Sequence, residues 1–322
     1  VELVTRARTA PPSVSFRAEE AVRVERLKDL LGRDELARRV AEAEAVTLAE
    51  PEALHEEIGD YRYFAETLFE GEKDYVVLNR YRSDPDTAER VLDPLRDKLV
   101  SVKHLRSFRL EKLALSPDQR VLAAVVDLEN NERTVCIFKD LQRRRVLPHR
   151  LTDCAGVVVL DAAMACYARL DASLRPASIW LHALDRPQVE DCCLLHSEEG
   201  AFFLDVQRSK TGELVLAVFS GNNSRRFMLL RRDEAQTRFE SLFEAEARVL
   251  SLNDNAKGYV IVARDEELQS VYFVPKAKGS VEALRRGFRG ADRLRFRTAP
   301  RQFITETDVF EGFALVYTVS EG

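Results

Sequence analysis

Ser178, His182 and Asp185 supply the three residue types of a hydrolase triad within one short segment. In an extended strand side chains repeat every second residue, so Ser178 and His182 share a face but stand more than ~12 Å apart. A serine that far from its base cannot hand over a proton, and the segment is read as strand rather than as a catalytic site. His182, Cys192, Cys193 and His196 are zinc-ligand types. Adjacent cysteines on a strand point to opposite faces, so the four do not readily serve one ion. No Gly-x-Ser-x-Gly occurs in the 322 residues, so the nucleophile elbow of an α/β-hydrolase is not among them. Asn222-Asn223-Ser224 spells a glycosylation sequon but reads as a hairpin turn. No catalytic, cofactor-binding or metal role is therefore assigned to any residue, and no cofactor is expected.

The elements that would position a site come next. The composition, 45% hydrophobic and 32% charged, is a globular balance. No apolar run approaches the ~18 residues of a membrane span, and no signal-peptide pattern opens the chain. A net charge of −5 gives no bulk attraction to nucleic acid or anionic lipid. The basic clusters Arg143–Arg145, Arg225-Arg226, Arg231-Arg232 and Arg285–Arg297 fall at strand ends and turns and are read as solvated edges. Neither nucleic acid nor membrane is expected as a partner. Cys136, Cys154, Cys166, Cys192 and Cys193 are an odd number, three of them in apolar strand-like runs, which points to free thiols and a cytoplasmic location.

Leu115 to Leu141 carries the clearest unit. Ser116-Pro117-Asp118-Gln119 is turn chemistry, and Val121 to Val126 is an unbroken apolar run rich in branched residues, fit for a strand covered on both faces. A second turn, a strand from Thr134 to Phe138 and a charged edge at Gln142–Arg145 complete an antiparallel meander, the form of a propeller blade. Similar units follow, with turns at Pro117-Asp118, Leu160-Asp161, Thr211-Gly212, Lys257-Gly258 and Glu311-Gly312, equated here with the Glu70-Gly71-Glu72 hairpin. Their spacing of roughly 43 to 54 residues suits four-stranded blades. Strand patterning is expected from Asp60 onward, with turns too frequent for helices. The last unit shows only two strands, Gln302–Thr305 and Phe313–Val319. Before Asp60, Val1–Ser15 reads as an extended arm, and helical spacing covers Ala18–Gly32 and Asp34–Ala49. The expected domains are thus 1–50, arm and helices, and 60–322, an incomplete propeller. Trp180 is assigned to core. Asp171 and Arg175 suit either a turn with solvated charges or a structural charge pair.

Several segments resemble the prolyl oligopeptidase family of serine peptidases, in particular its oligopeptidase B branch. They are Tyr61-Arg62-Tyr63-Phe64 through Glu70-Gly71 to Tyr81-Arg82, Leu115-Ser116-Pro117-Asp118 to Lys139-Asp140-Leu141, Ala168–Pro176, and Phe202–Val206 with Ser209-Lys210-Thr211-Gly212. The resemblance implies an all-β, seven-bladed propeller, of which about five and a half to six blades are present, with a short N-terminal helical segment. It further implies a gate and size filter for short peptides over an α/β-hydrolase domain of the same protein, absent here, that cleaves after basic residues or proline. The triad of such a serine-type endopeptidase would lie beyond Gly322, so no catalytic residue transfers to this sequence. An open stack leaves blade faces uncovered. The chain is accordingly expected to be part of a longer polypeptide or to have a covering partner, and alone to associate or unfold with poor cooperativity. A non-catalytic propeller serving as a protein-interaction module is the alternative.

Overall fold

The computed structural model describes residues 2–9 and 56–320, apart from 72, 198–201, 222–224, 234–235, 244–247, 266, 277–279, 286–287, 289–292 and 311–312. The helical stretches expected within 18–49 and the sequon at 222–224 lie outside the described residues. The chain divides into two compact units, Val1–Arg8 with Lys103–Glu321, and Thr9–Val102 with Gly322. β1 (Glu2–Thr9) falls in the arm and is extended.

The smaller unit holds one antiparallel sheet, β2 (Glu56–Ile58), β3 (Tyr61–Glu70), β4 (Lys73–Tyr81) and β5 (Glu89–Leu92), in that order. Strand structure thus begins before Asp60. The Gly71 turn, at φ 63°, joins the second and third strands. The turns at Pro117-Asp118, Leu160-Asp161, Thr211-Gly212 and Lys257-Gly258 equated with it from the sequence join first and second strands instead, so its true counterpart is Gly59-Asp60; Glu311-Gly312 lies outside the described residues.

The larger unit holds five sheets in chain order. The first is β6 (Arg109–Leu115), β7 (Val121–Asp127), β8 (Thr134–Asp140) and β10 (Leu151–Thr152), with β9 (Arg145–Val146) also on β8. Next come β11 (Cys154–Val159), β12 (Met164–Leu170), β13 (Pro176–Ala183) and β14 (Cys192–His196), then β15 (Phe203–Arg208), β16 (Val215–Ser220), β17 (Arg225–Arg232) and β18 (Thr237–Ser241). The fourth is β19 (Val249–Asp254), β20 (Gly258–Asp265), β21 (Leu268–Pro275) and β22 (Leu294–Arg297). β23 (Gln302–Val309) and β24 (Phe313–Ser320) form the last, where β1 adds a third strand that the sequence did not suggest. A short helix, α1 (Ser280–Arg285), breaks the all-strand expectation; Leu284 on it, with the nearby Phe288, plugs the core against Tyr272.

The second strands β12, β16 and β20 are apolar on both faces, and their two-residue period sends alternate side chains into different cores. On β12, Ala165 and Tyr167 pack with Val121, Ala123, Val125 and Phe138, whereas Cys166 and Ala168 pack with Leu204, Val206, Ala217 and Phe219. On β16, Leu216 and Val218 turn to the other side and meet Tyr259, Ile261 and Ala263 of β20. Val260 and Val262 of β20 then face Val309, Ala314 and Val316. Consecutive sheets therefore stack face to face, as the blades of a propeller do.

The turns between first and second strands repeat one device, a short polar side chain capping free amides. Ser116 Oγ accepts from Arg120 N and Val121 N at 3.1 and 3.0 Å, and Asp161 Oδ1 from Ala163 N and Met164 N at 2.8 and 3.0 Å. Ser209 Oγ accepts from Leu214 N, and Asn255 Oδ1 from Lys257 N and Gly258 N.

One turn is tied to the next sheet. The buried Asp254 carboxylate accepts from Ser209 Oγ at 3.1 Å, from the Thr211 amide and hydroxyl, and from Lys276 Nζ at 3.0 Å; Lys276 also meets Glu213 at 2.9 Å. Burial alone would raise the Asp254 carboxyl, but Thr211 and Lys276 outweigh it and hold the carboxyl below its ordinary range. Burial lowers the Lys276 ammonium, and Glu213 and Asp254 more than reverse this. Asp254→Ala leaves Lys276 only the exposed Glu213 as an anion and leaves the Ser209 and Thr211 donors without their acceptor, and is expected to cost about 1–3 kcal/mol in urea unfolding. A depressed carboxyl stabilises above its unfolded value of ~3.9, and a raised lysine below ~10.4. The gap between parent and variant should be constant between those limits. It should close as pH falls through the Asp254 folded value or rises through that of Lys276. A variant as stable as the parent at neutral pH contradicts this tie.

Candidate functional site

Ser178, His182 and Asp185 do not come together as a reacting set. All three follow one another along β13 and the turn after it, with Ser178 and His182 four residues, about 13 Å, apart. The Ser178 hydroxyl accepts from Trp180 Nε1 at 2.8 Å. His182 does have a carboxylate, but it is Asp191, 2.7 Å from Nδ1 in a fully buried pair. Asp191 also accepts from the Tyr167 hydroxyl at 2.9 Å, and the His182 ring stacks on Phe138 at 5.5 Å, so the group braces the interface between two sheets. Cys192 stands opposite Leu181, Cys193 opposite Trp180 and His196 opposite Ser178.

Trp180 is half-buried against core, with the Arg169 guanidinium 5.4 Å from its ring. Asp171 caps Ser173 N and Arg175 N at 2.8 and 3.0 Å, whereas Arg175 turns to the Phe202 carbonyl at 3.4 Å and the Phe203 ring. The turn reading of Asp171 thus holds, and Arg175 serves the following sheet. Most basic clusters are matched rather than merely solvated. Arg232 pairs with Asp161 across two sheets, Arg231 and Arg285 with Glu240, and Arg143 with Asp140.

The polar chemistry gathers where the first strands approach one another. Lys112 of β6 reaches Asp205 of β15 at 3.3 Å, passing over β11 between them. Sheets two apart in a parallel stack would be ~20 Å distant, whereas these two side chains span roughly 13 Å from Cα to Cα at full stretch. The first-strand edges therefore converge. Gly156 of β11 makes room for the bridge, since a Cβ there would lie 2.6 Å from Asp205 Oδ1 and 3.2 Å from Lys112 Nζ. Farther along the same edge, Asn253 of β19 donates to Thr307 Oγ1 of β23 at 2.9 Å. Beside that link lies an open cavity of about 560 Å³ whose wall includes Gln207, Arg225, Ser251, Asn253, Arg264 and Glu306. This site is not legible in the sequence, because its residues come from three sheets and none forms a motif.

The chain matches the family described as "Prolyl oligopeptidase, N-terminal beta-propeller domain" over residues 16–271. No curated protein matches it. Among solved structures it is similar to oligopeptidase B from Leishmania major, at 16% identity and a TM-score of 0.61, covering 79% of this chain and 35% of that one. It is also similar to oligopeptidase B from Trypanosoma brucei with covalently bound antipain, in the closed form, at 17% identity and 0.64, covering 91% and 42%. A post-proline cleaving enzyme from Rickettsia typhi gives 8% identity and 0.57, covering 93% and 47%. The chain spans less than half the length of each of these proteins. At such identities the likeness shows the fold alone.

The remaining chemistry-bearing side chains are thiols, all free. Cys136, Cys154 and Cys166 are buried, and Cys192 and Cys193 are exposed on the edge strand β14. Burial pushes the Cys166 thiol up to about 12 and the Cys136 thiol well above its ordinary value, in the latter case with Cys154 beside it adding to the rise. Thiolate is the reactive form. A maleimide pulse on the native chain at neutral pH is therefore expected to label Cys192 and Cys193 only, with Cys136, Cys154 and Cys166 appearing on denaturation. Native labelling of Cys136 or Cys166 contradicts the sheet packing.

Proposed function

Because the chain belongs to the prolyl oligopeptidase family as its propeller domain, we propose that it is the gating portion of a cytoplasmic serine oligopeptidase. It stands over an α/β-hydrolase domain of the same protein, which hydrolyses short peptides after basic residues or proline. Acyl transfer through a Ser-His-Asp set belongs to that domain. The propeller contributes exclusion and alignment.

The observation that carries this reading is the convergence of the first strands. First-strand edges close enough for Lys112 to meet Asp205 across the intervening strand suit a narrow passage bordered by polar groups. An extended peptide is one strand wide, whereas a folded protein is many times wider. A narrow opening therefore sorts substrates by width before chemistry begins. Polar walls suit the passage, since a peptide arriving with its amides hydrated finds exchange partners in Asn253, Thr307 and Gln207. Five free cysteines, two of them exposed, accord with a reducing compartment. Among the described residues no helix is long and apolar enough to cross a membrane.

The product of the complete reading frame is expected to hydrolyse short arginyl or prolyl chromogenic peptides and to spare folded proteins, while residues 1–322 alone give no turnover above blank. A folded full product that hydrolyses neither peptide supports the non-catalytic interaction module instead. Turnover by residues 1–322 alone overturns the assignment of chemistry to another domain.

A further inference from the structure

Arginines of the larger unit are matched by carboxylates in many places. Arg133 meets Asp153, Arg232 meets Asp161, and Arg231, Arg238 and Arg285 share Glu240. Arg225, at the start of β17, and Arg264, near the end of β20, are among the arginines left outside such pairs. Both line the 560 Å³ cavity, and among the described residues neither guanidinium has an ion-pair or hydrogen-bond partner. Glu306 of β23 lines the same cavity and likewise has no cation.

Two cations and one anion from three different sheets therefore face one concavity without neutralising each other. A second feature of the wall points the same way. The Ser251 hydroxyl oxygen is buried there with no hydrogen-bond partner, and buried polar atoms seldom go unpaired. The Asn253 amide and Gln207 add neutral donors and acceptors.

This set is the complement of a short zwitterionic chain. A guanidinium binds a carboxylate through two parallel N–H···O bonds, and two of them favour a carboxylate over any neutral group. A lone carboxylate such as Glu306 favours an ammonium. The cavity volume lies in the ~300–1,000 Å³ range of small-ligand sites. We propose that this cavity binds short peptides by their free ends, with Arg225 and Arg264 holding the α-carboxylate and Glu306 facing the α-ammonium. Such a site retains peptides at the convergent edge irrespective of their sequence, and it requires no hydrolase domain.

Calorimetric titration of the 322-residue chain with tetra-alanine, its C-terminal amide and its N-acetyl form tests this without altering the protein. The free peptide is expected to bind, and the amide to bind about tenfold or more weakly. Arg225→Gln and Arg264→Gln should each weaken the free peptide toward the level of the amide. Glu306→Gln should weaken the free peptide but leave the N-acetyl form unchanged. Equal binding of acid and amide, or no binding of the acid up to ~10 mM, overturns the proposal. So does unchanged affinity in both arginine variants when their thermal transitions match that of the parent. Because the readout is binding to the chain alone, failure here leaves the peptidase reading standing, and failure of that reading leaves this site standing.

Discussion

The structure rests on double coverage of the second strand in the middle sheets of the larger unit. β12, β16 and β20 each feed two hydrophobic cores at once, by the plain alternation of side chains along an extended chain. Tyr167 and Cys166 are neighbours in sequence yet belong to different cores, as do Ile261 and Val260. A large fully buried side chain such as Tyr167 or Tyr259 contributes on the order of 1.5–3 kcal/mol, and only while the adjoining sheet is in place. No sheet in the stack is therefore an independent folding body.

That constraint leaves the first and last strands free for other work. Their side chains are not needed by two cores, so they accommodate charge. Lys112, Asp205, Asn253 and Thr307 occupy first strands, and Glu240 on a last strand collects three arginines. Where neighbouring sheets must be fixed against sliding, polar groups do it, with Asp254 binding Thr211 of the preceding sheet, and Gln188 binding Thr152 of the preceding sheet and the Tyr167 hydroxyl. A polar group held in this way has one satisfied geometry, whereas an apolar contact tolerates small shifts. Apolar middles and polar first-strand edges thus divide the work of the stack, the former holding sheet to sheet and the latter carrying the charge.

The same division decides what was legible in the sequence. The second strands announce themselves: Val121–Val126 and Leu214–Phe219 are apolar runs with turn residues before them, and the Ser116, Asp161, Ser209 and Asn255 turns recur at blade spacing. The family was legible from the order of such segments. Strands β2, β18 and β22 were missed because three to five residues mixing charge with apolar side chains are too few to establish a period, and the first strands β6 and β19 because their apolar positions are interrupted by polar ones. α1 was missed because six residues cannot establish a helical period, and its burial is set by Tyr272 from another element. The pairing of His182 with Asp191 was not legible, since the two stand nine residues apart across a turn whose path the sequence does not specify. The cavity was invisible. Gln207, Ser251, Arg264 and Glu306 are ordinary polar residues on ordinary strands, and only the convergence of three sheets makes them one wall.

Amide hydrogen exchange resolved to individual strands measures the double coverage most directly. The account requires the amides of β12, β16 and β20 to exchange more slowly than those of the flanking first and last strands, β11, β14, β15, β18, β19 and β22, because only the former are shielded on both faces and paired on both sides. Exchange from β12, β16 and β20 as fast as from β14, β18 and β22 would contradict it.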